Sequence, residues 1–135
     1  MKFDNMKFDK MTREQTEVVT IIKAHRGVQE AISRKELVRW VGLTDRAVRE
    51  IIHSLICDYS CPIGSQVKPP YGYFWISSQE ELIQVRKTLR SYMISIAQRL
   101  RAVDQTAFAQ GLARQLKFAW GQESESNQKK GDDYE

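Results

Sequence analysis

The chain has 135 residues, 41% of them hydrophobic and 28% charged, so it can bury a core and is not disordered overall. Its two cysteines, Cys57 and Cys61, are too few for a disulfide scaffold and are expected to be free thiols in a reducing compartment. The net charge is +4, but the last fifteen residues hold five acids against two lysines, so residues 1–120 carry +7 and a polyanionic partner is expected.

No run of about 18 apolar residues occurs, and the polar start MKFDNMKFDK lacks the apolar stretch of a signal peptide. These features predict a cytoplasmic protein with no membrane partner. MKFDN and MKFDK form a tandem near-repeat too short to build a structural unit, so residues 1–11 are expected to be a flexible leader.

Thr12 followed by Gln15 has capping-box spacing, and Val18, Val19, Ile21 and Ile22 supply an apolar face, predicting a first helix to about His25 that Gly27 ends. Val28 to Ile32 reads as one edge strand. Ser33 with Glu36 opens a second helix from Arg34 to Val41, whose inward residues are Leu37, Val38 and Val41. Trp40 is expected to serve packing rather than function. Gly42 stops that helix, because a tight turn between helices needs a residue that tolerates positive φ. Thr44 caps a third helix, with Val48, Ile51, Ile52, Leu55 and Ile56 on one face and Arg46, Arg49, Glu50 and His53 on the other.

Pro62 and Gly64 break the helical pattern, and residues 63–76 read as a hairpin with its loop around Lys68, Pro69, Pro70 and Gly72. Tyr73, Phe74 and Trp75 cannot all share one surface, since successive strand residues face opposite ways, so at least one belongs to the core. Ser78 with Glu81 starts a long helix over residues 78–104. Its apolar residues Leu82, Val85, Leu89, Tyr92, Ile96, Leu100 and Val103 approximate a heptad seam, a pattern that predicts self-association into a dimer, the alternative being a monomer in which the seam packs back on the winged-helix core. A further helix is expected over residues 105–120, and residues 121–135 are expected to be a disordered acidic tail.

The elements predict a mainly α fold with a small β hairpin, an α+β class. Residues 12–77 form a winged helix-turn-helix, and a long C-terminal helix follows. Two helices joined by a short glycine turn make the helix-turn-helix, whose second helix enters the major groove. The segment ISRKELVRWVGLTDRAVREIIHSL, followed by PIGS, the hairpin and GYFWISSQEEL, resembles the winged-helix DNA-binding proteins encoded by bacteriophages and prophages. The likeness covers about residues 30–103. It implies a core of three helices and a small sheet, a third helix that reads DNA and a wing that touches the backbone or minor groove. It also implies work in replication initiation or transcriptional regulation.

On that reading double-stranded DNA is the partner, and Thr44, Arg46, Arg49 and His53 face it from the third helix. The arginines come first, because guanidinium bonds a guanine edge or a phosphate in bidentate fashion. The competing reading makes them solvated arginines balanced by Asp45 and Glu50. Asp45 itself suits the helix dipole. Lys68 and Tyr71 are wing-tip candidates, and Ser33, Arg34 and Lys35 are candidates for a phosphate at the second helix. His53, Cys57 and Cys61 stand at intervals of four, but the helix is expected to end before Cys61 and no fourth ligand is near, so neither a metal nor a cofactor is expected. No phosphate-binding glycine loop and no nucleophile with a recognisable base occur, which argues against an enzyme. The alternative function is a protein-interaction adaptor in replication or transcription complexes, presenting Phe108, Leu112, Leu116, Phe118 and Trp120.

Overall fold

The computed structural model describes residues 10–132, with side chains as far as Trp120. The leader expected at residues 1–11 therefore lies almost wholly outside the described residues. The fold is α+β: helices α1 (Arg13–Ala24), α2 (Arg34–Val41) and α3 (Asp45–Cys57) precede a hairpin of β1 (Ile63–Gln66) and β2 (Gly72–Trp75). Helices α4 (Gln79–Val103) and α5 (Ala107–Asp132) follow. The chain divides into two compact units between Leu82 and Ile83.

The first unit is a winged helix-turn-helix. Its core gathers Val18, Val19 and Ile22 of α1, Leu37 of α2, Val48, Ile52 and Leu55 of α3, and Ile63 and Trp75 of the hairpin. These are the residues that the helical and strand periodicities place inward. Each helix start is fixed by a side chain. Thr12 and Gln15 cap each other reciprocally, Ser33 Oγ accepts from the Glu36 amide, and Thr44 Oγ1 accepts from the Ala47 amide. Gly42 closes α2 in the left-handed region at φ 69°, so the turn to α3 takes only residues 42–44.

Four expectations need correction. Val28–Glu30 is a single 3₁₀ turn rather than an edge strand, and only Arg26 and Ile32 bridge to β2, at Trp75 and Tyr73. The cause is distant in sequence: the Val28 amide donates to Glu81 Oε2 at 2.6 Å instead of to a neighbouring strand. Trp40 is 75% exposed and does not pack in the core, because the inward stripe of α2 centres on Leu37, Val38 and Val41 and leaves Trp40 outside it. Ile56 is likewise exposed, beyond the edge of the α3 stripe. The α5 backbone stays helical to Asp132, past the expected end at residue 120; Glu, Gln and Lys in that stretch are good helix formers.

β1 and β2 pair antiparallel with Gly64 opposite Phe74 and Ile63 opposite Trp75. Trp75 and Tyr73 turn to the core, while Phe74 lies over Gly64 on the other face and is itself buried. No exposed three-ring platform exists. A Cβ at Gly64 would stand 2.5 Å from Phe74 Cζ, so only glycine lets this ring close onto the strand.

The second unit is a helical hairpin. Beside its turn Arg101 Nε donates to Gln110 Oε1 at 2.8 Å, and farther along the Arg90 guanidinium lies 5.3 Å from the centre of the Trp120 ring. Its buried side chains among the described residues are Ala97, Ala109 and Ala113, which allow two helix backbones to approach closely. The larger apolar residues stay outside: Leu89, Tyr92, Met93, Ile96, Leu100 and Val103 are all exposed along one face of α4. Val85 is half-buried, as is Leu82 in the first unit. No helix among the described residues is long and apolar enough to cross a membrane.

Candidate functional site

The solvent face of α3 follows from the spacing of its polar residues. Arg46, Arg49 and His53 recur at steps of three and four, so they line up opposite Val48, Ile52 and Leu55, and all three are exposed. Thr44 is exposed at the N-cap just before α3, with its hydroxyl engaged in capping the helix.

The arginines are ion-paired rather than solitary. Arg46 Nε meets Glu50 Oε1 at 3.2 Å, one turn along α3. Arg49 Nε meets Asp45 Oδ2 at 3.1 Å, and the other oxygen of Asp45 receives Arg34 Nε from the start of α2. Asp45 therefore joins the two helices of the motif through two guanidinium groups. No sequence spacing announces the link from Arg34, because it crosses between elements. All of these side chains remain substantially exposed, and exposed pairs contribute only about 0.2–1 kcal/mol each.

The other candidates divide. Ser33 is occupied as the cap of α2, and Lys35 is exposed beside Arg34. Lys68 and Tyr71 stand exposed on the hairpin loop, outside the ion-pair chain of α2 and α3. The root of that hairpin is tied to α2: Ile32 and Tyr73 exchange two backbone hydrogen bonds of 2.8 Å, one residue before the cap Ser33.

His53 Nδ1 lies 3.9 Å from Cys57 Sγ, but Cys61 has left the helix and is buried in the core. The three residues do not converge. No group of three metal-ligating side chains occurs among the described residues. Burial pushes the Cys61 thiol above its ordinary pKa, with the charge of Lys23 opposing the shift in part.

Glu81 is a structural carboxylate that sequence spacing assigns only to a capping box. Ser78 Oγ accepts from the Glu81 amide as that box requires, but the carboxylate reaches elsewhere, to the Val28 amide at 2.6 Å and the Ser77 amide at 2.9 Å. Desolvation would raise its pKa. Hydrogen bonds from the Ser77 and Val28 amides, the Ser77 hydroxyl and the Ser78 amide outweigh that effect and hold it below the ordinary carboxylate value.

Charge is distributed unevenly between the units. Residues 1–82 hold twelve Lys and Arg against eleven Asp and Glu, a net +1; residues 83–120 hold seven against one, a net +6, and the second unit as a whole, residues 83–135, holds nine against six, a net +3. The basic excess of residues 1–120 therefore lies mostly in residues 83–120 rather than in the winged helix. Compared with known proteins, the chain matches no family model, no curated protein and no solved structure.

Proposed function

We propose that the winged-helix unit binds double-stranded DNA, with α3 in the major groove and the loop of the hairpin against the backbone. The observation that carries this reading is the line of Arg46, Arg49 and His53 on the exposed face of α3, with the exposed N-cap Thr44 just before that helix. A groove about 12 Å wide admits such a helix, and guanidinium groups near its N-terminal end reach base edges. The carboxylates of Asp45 and Glu50 hold these guanidinium groups in place without burying them, so exchange onto phosphate or guanine costs little. The resemblance to phage winged-helix proteins supports the same reading, with replication initiation or transcriptional regulation as its setting.

The exposed face of α4 pairs with a second copy of the chain in this proposal. Leu89, Tyr92, Ile96, Leu100 and Val103 keep near-heptad spacing, the pattern by which like helices associate, and a dimer suits a two-fold DNA site. Duplex fragments titrated with wild type and with Arg46→Ala plus Arg49→Ala test the docking. The double variant is expected to bind at least about tenfold more weakly, a loss of about 1.4 kcal/mol, and equal binding would sink the proposal.

A protein-adaptor reading has two observations in its favour: the near-neutral charge of residues 1–82 and the exposure of Trp40. Salt separates the readings. Duplex binding weakens with a log–log slope of about −0.9 per neutralised phosphate, while an adaptor shows no such steep dependence.

A further inference from the structure

We infer that the α4–α5 hairpin carries a second nucleic-acid site, an open groove that takes the phosphate backbone of a single strand and stacks a base on Phe118. The groove has a volume of about 300 Å³ and is lined by Gln98, Arg101, Ala113, Arg114, Lys117 and Phe118. It lies wholly within the second unit, and the inference does not depend on how α3 is used.

Three independent features converge on this groove. Arg101, Arg114 and Lys117 are exposed, and none of them forms an ion pair among the described residues. Arg34, Arg46 and Arg49, by contrast, each have a carboxylate partner. The one acid in residues 83–120, Asp104, is engaged in the turn, where its Oδ1 accepts from the Thr106 amide at 3.0 Å. A cationic surface with no carboxylate partner among the described residues is the electrostatic footprint of a polyanion site.

The second feature is aromatic. Phe118 is 91% exposed at the groove, whereas Leu112, Leu116 and Trp120 occupy half-buried positions of the same helix. A solvent-facing ring beside cations suits unpaired bases, since every base offers a π-face and none is available on the outside of a paired duplex. The third feature is polarity: Gln98 adds an amide that both donates and accepts beside the cations, as sugar and base edges require.

Together these features favour a single strand over a duplex, and over an acidic protein, which gains nothing specific from one isolated exposed ring. The experiment uses the full chain and a fluorescein-labelled oligothymidylate of about 20 nucleotides, longer than the usual site of a small single-strand binder, with anisotropy read at several salt concentrations. Arg101→Gln plus Arg114→Gln plus Lys117→Gln is expected to weaken binding at least about tenfold at low salt. It should also make the log–log salt slope shallower by about 2, from about 0.7 for each of three lost phosphate contacts. Phe118→Ala is expected to weaken binding about fivefold or more at an unchanged slope.

Arg46→Ala plus Arg49→Ala should leave oligothymidylate binding intact, which separates this site from the duplex reading. All of these positions are exposed, and an unchanged melting temperature confirms that each variant folds. Failure of wild type to bind the oligothymidylate at low salt overturns the inference, as does an unchanged slope in the triple variant. Loss of binding to phosphatidylglycerol vesicles in the triple variant, with oligothymidylate binding intact, overturns it in favour of an anionic membrane surface.

Discussion

Asp45 and Arg34 pair across the turn of the helix-turn-helix, and the same carboxylate also holds Arg49, 3.1 Å away on α3. One acid thus sets the positions of two arginines that begin on different helices. It also competes with any phosphate for them.

Asp45→Asn should therefore raise affinity for duplex DNA while lowering stability. Release of two exposed pairs, each of about 0.2–1 kcal/mol, corresponds to a gain of up to about thirtyfold. Loss of a negative charge in the first turn of α3 costs about 0.3–1 kcal/mol. Anisotropy titration with thermal melting reads both, and a variant with unchanged duplex affinity would count against a role for Arg34 and Arg49 at DNA.

Glu81 should make stability depend on acid pH. Its folded pKa is lowered, so its contribution is fully present above the ordinary value of 4.5 and is lost as the pH falls through the lowered folded value. Glu81→Gln removes the charge from the Val28 and Ser77 amides and should cost about 1–3 kcal/mol near neutral pH. The gap between variant and wild type should narrow in melting experiments as the pH is taken below the ordinary carboxylate range.

Gly64→Ala should destabilise the hairpin by about 1–3 kcal/mol, because the new methyl overlaps the Phe74 ring and forces it from a buried site. Phe74→Leu in the same background should recover part of the loss. Chemical denaturation of the two variants checks this, and a Gly64→Ala variant as stable as wild type would contradict the packing.

Ile96→Glu plus Leu100→Glu should shift the protein towards monomer without unfolding it, since both side chains are exposed within the single chain. Sedimentation velocity over a range of concentrations reads the change. A wild type that stays monomeric at high micromolar concentration removes the α4 pairing from the proposal.

The two thiols should react on different timescales. Cys57 is exposed, whereas Cys61 is buried with its pKa raised by that burial, so it forms little reactive thiolate. A disulfide reagent at neutral pH should modify one thiol rapidly, and Cys57→Ser should abolish the fast phase.

The winged helix is legible in the sequence wherever a local rule decides the conformation. Thr12, Ser33 and Thr44 cap helices through their own neighbours, Gly42 supplies the left-handed residue, and the apolar periodicities locate Leu37, Val48 and Trp75 in the core. What stays hidden depends on partners far away in the chain. Val28 turns away from strand pairing because Glu81, 53 residues later, accepts from its amide. Arg34 reaches Asp45 across a turn, and Trp40 misses the core by the phase of a short helix. For the candidate site, Arg46, Arg49 and His53 are readable as one face of α3, while the groove of Arg101, Arg114 and Lys117 arises only when two helices fold against each other.

The hairpin root is held more tightly than its tip. A Cβ at Gly72 would stand 1.9 Å from the Ile32 carbonyl oxygen, and Ile32 and Tyr73 are joined by two hydrogen bonds, so β2 has no freedom where it leaves the core. Residues 67–71 beyond that point are mostly exposed and contribute nothing to the core cluster. Substitutions in this loop should therefore leave the core cluster unchanged. The scaffold holds this tip without leaning on it, so Lys68 and Tyr71 can be substituted without touching the core, whereas α3 carries a face that the core already constrains.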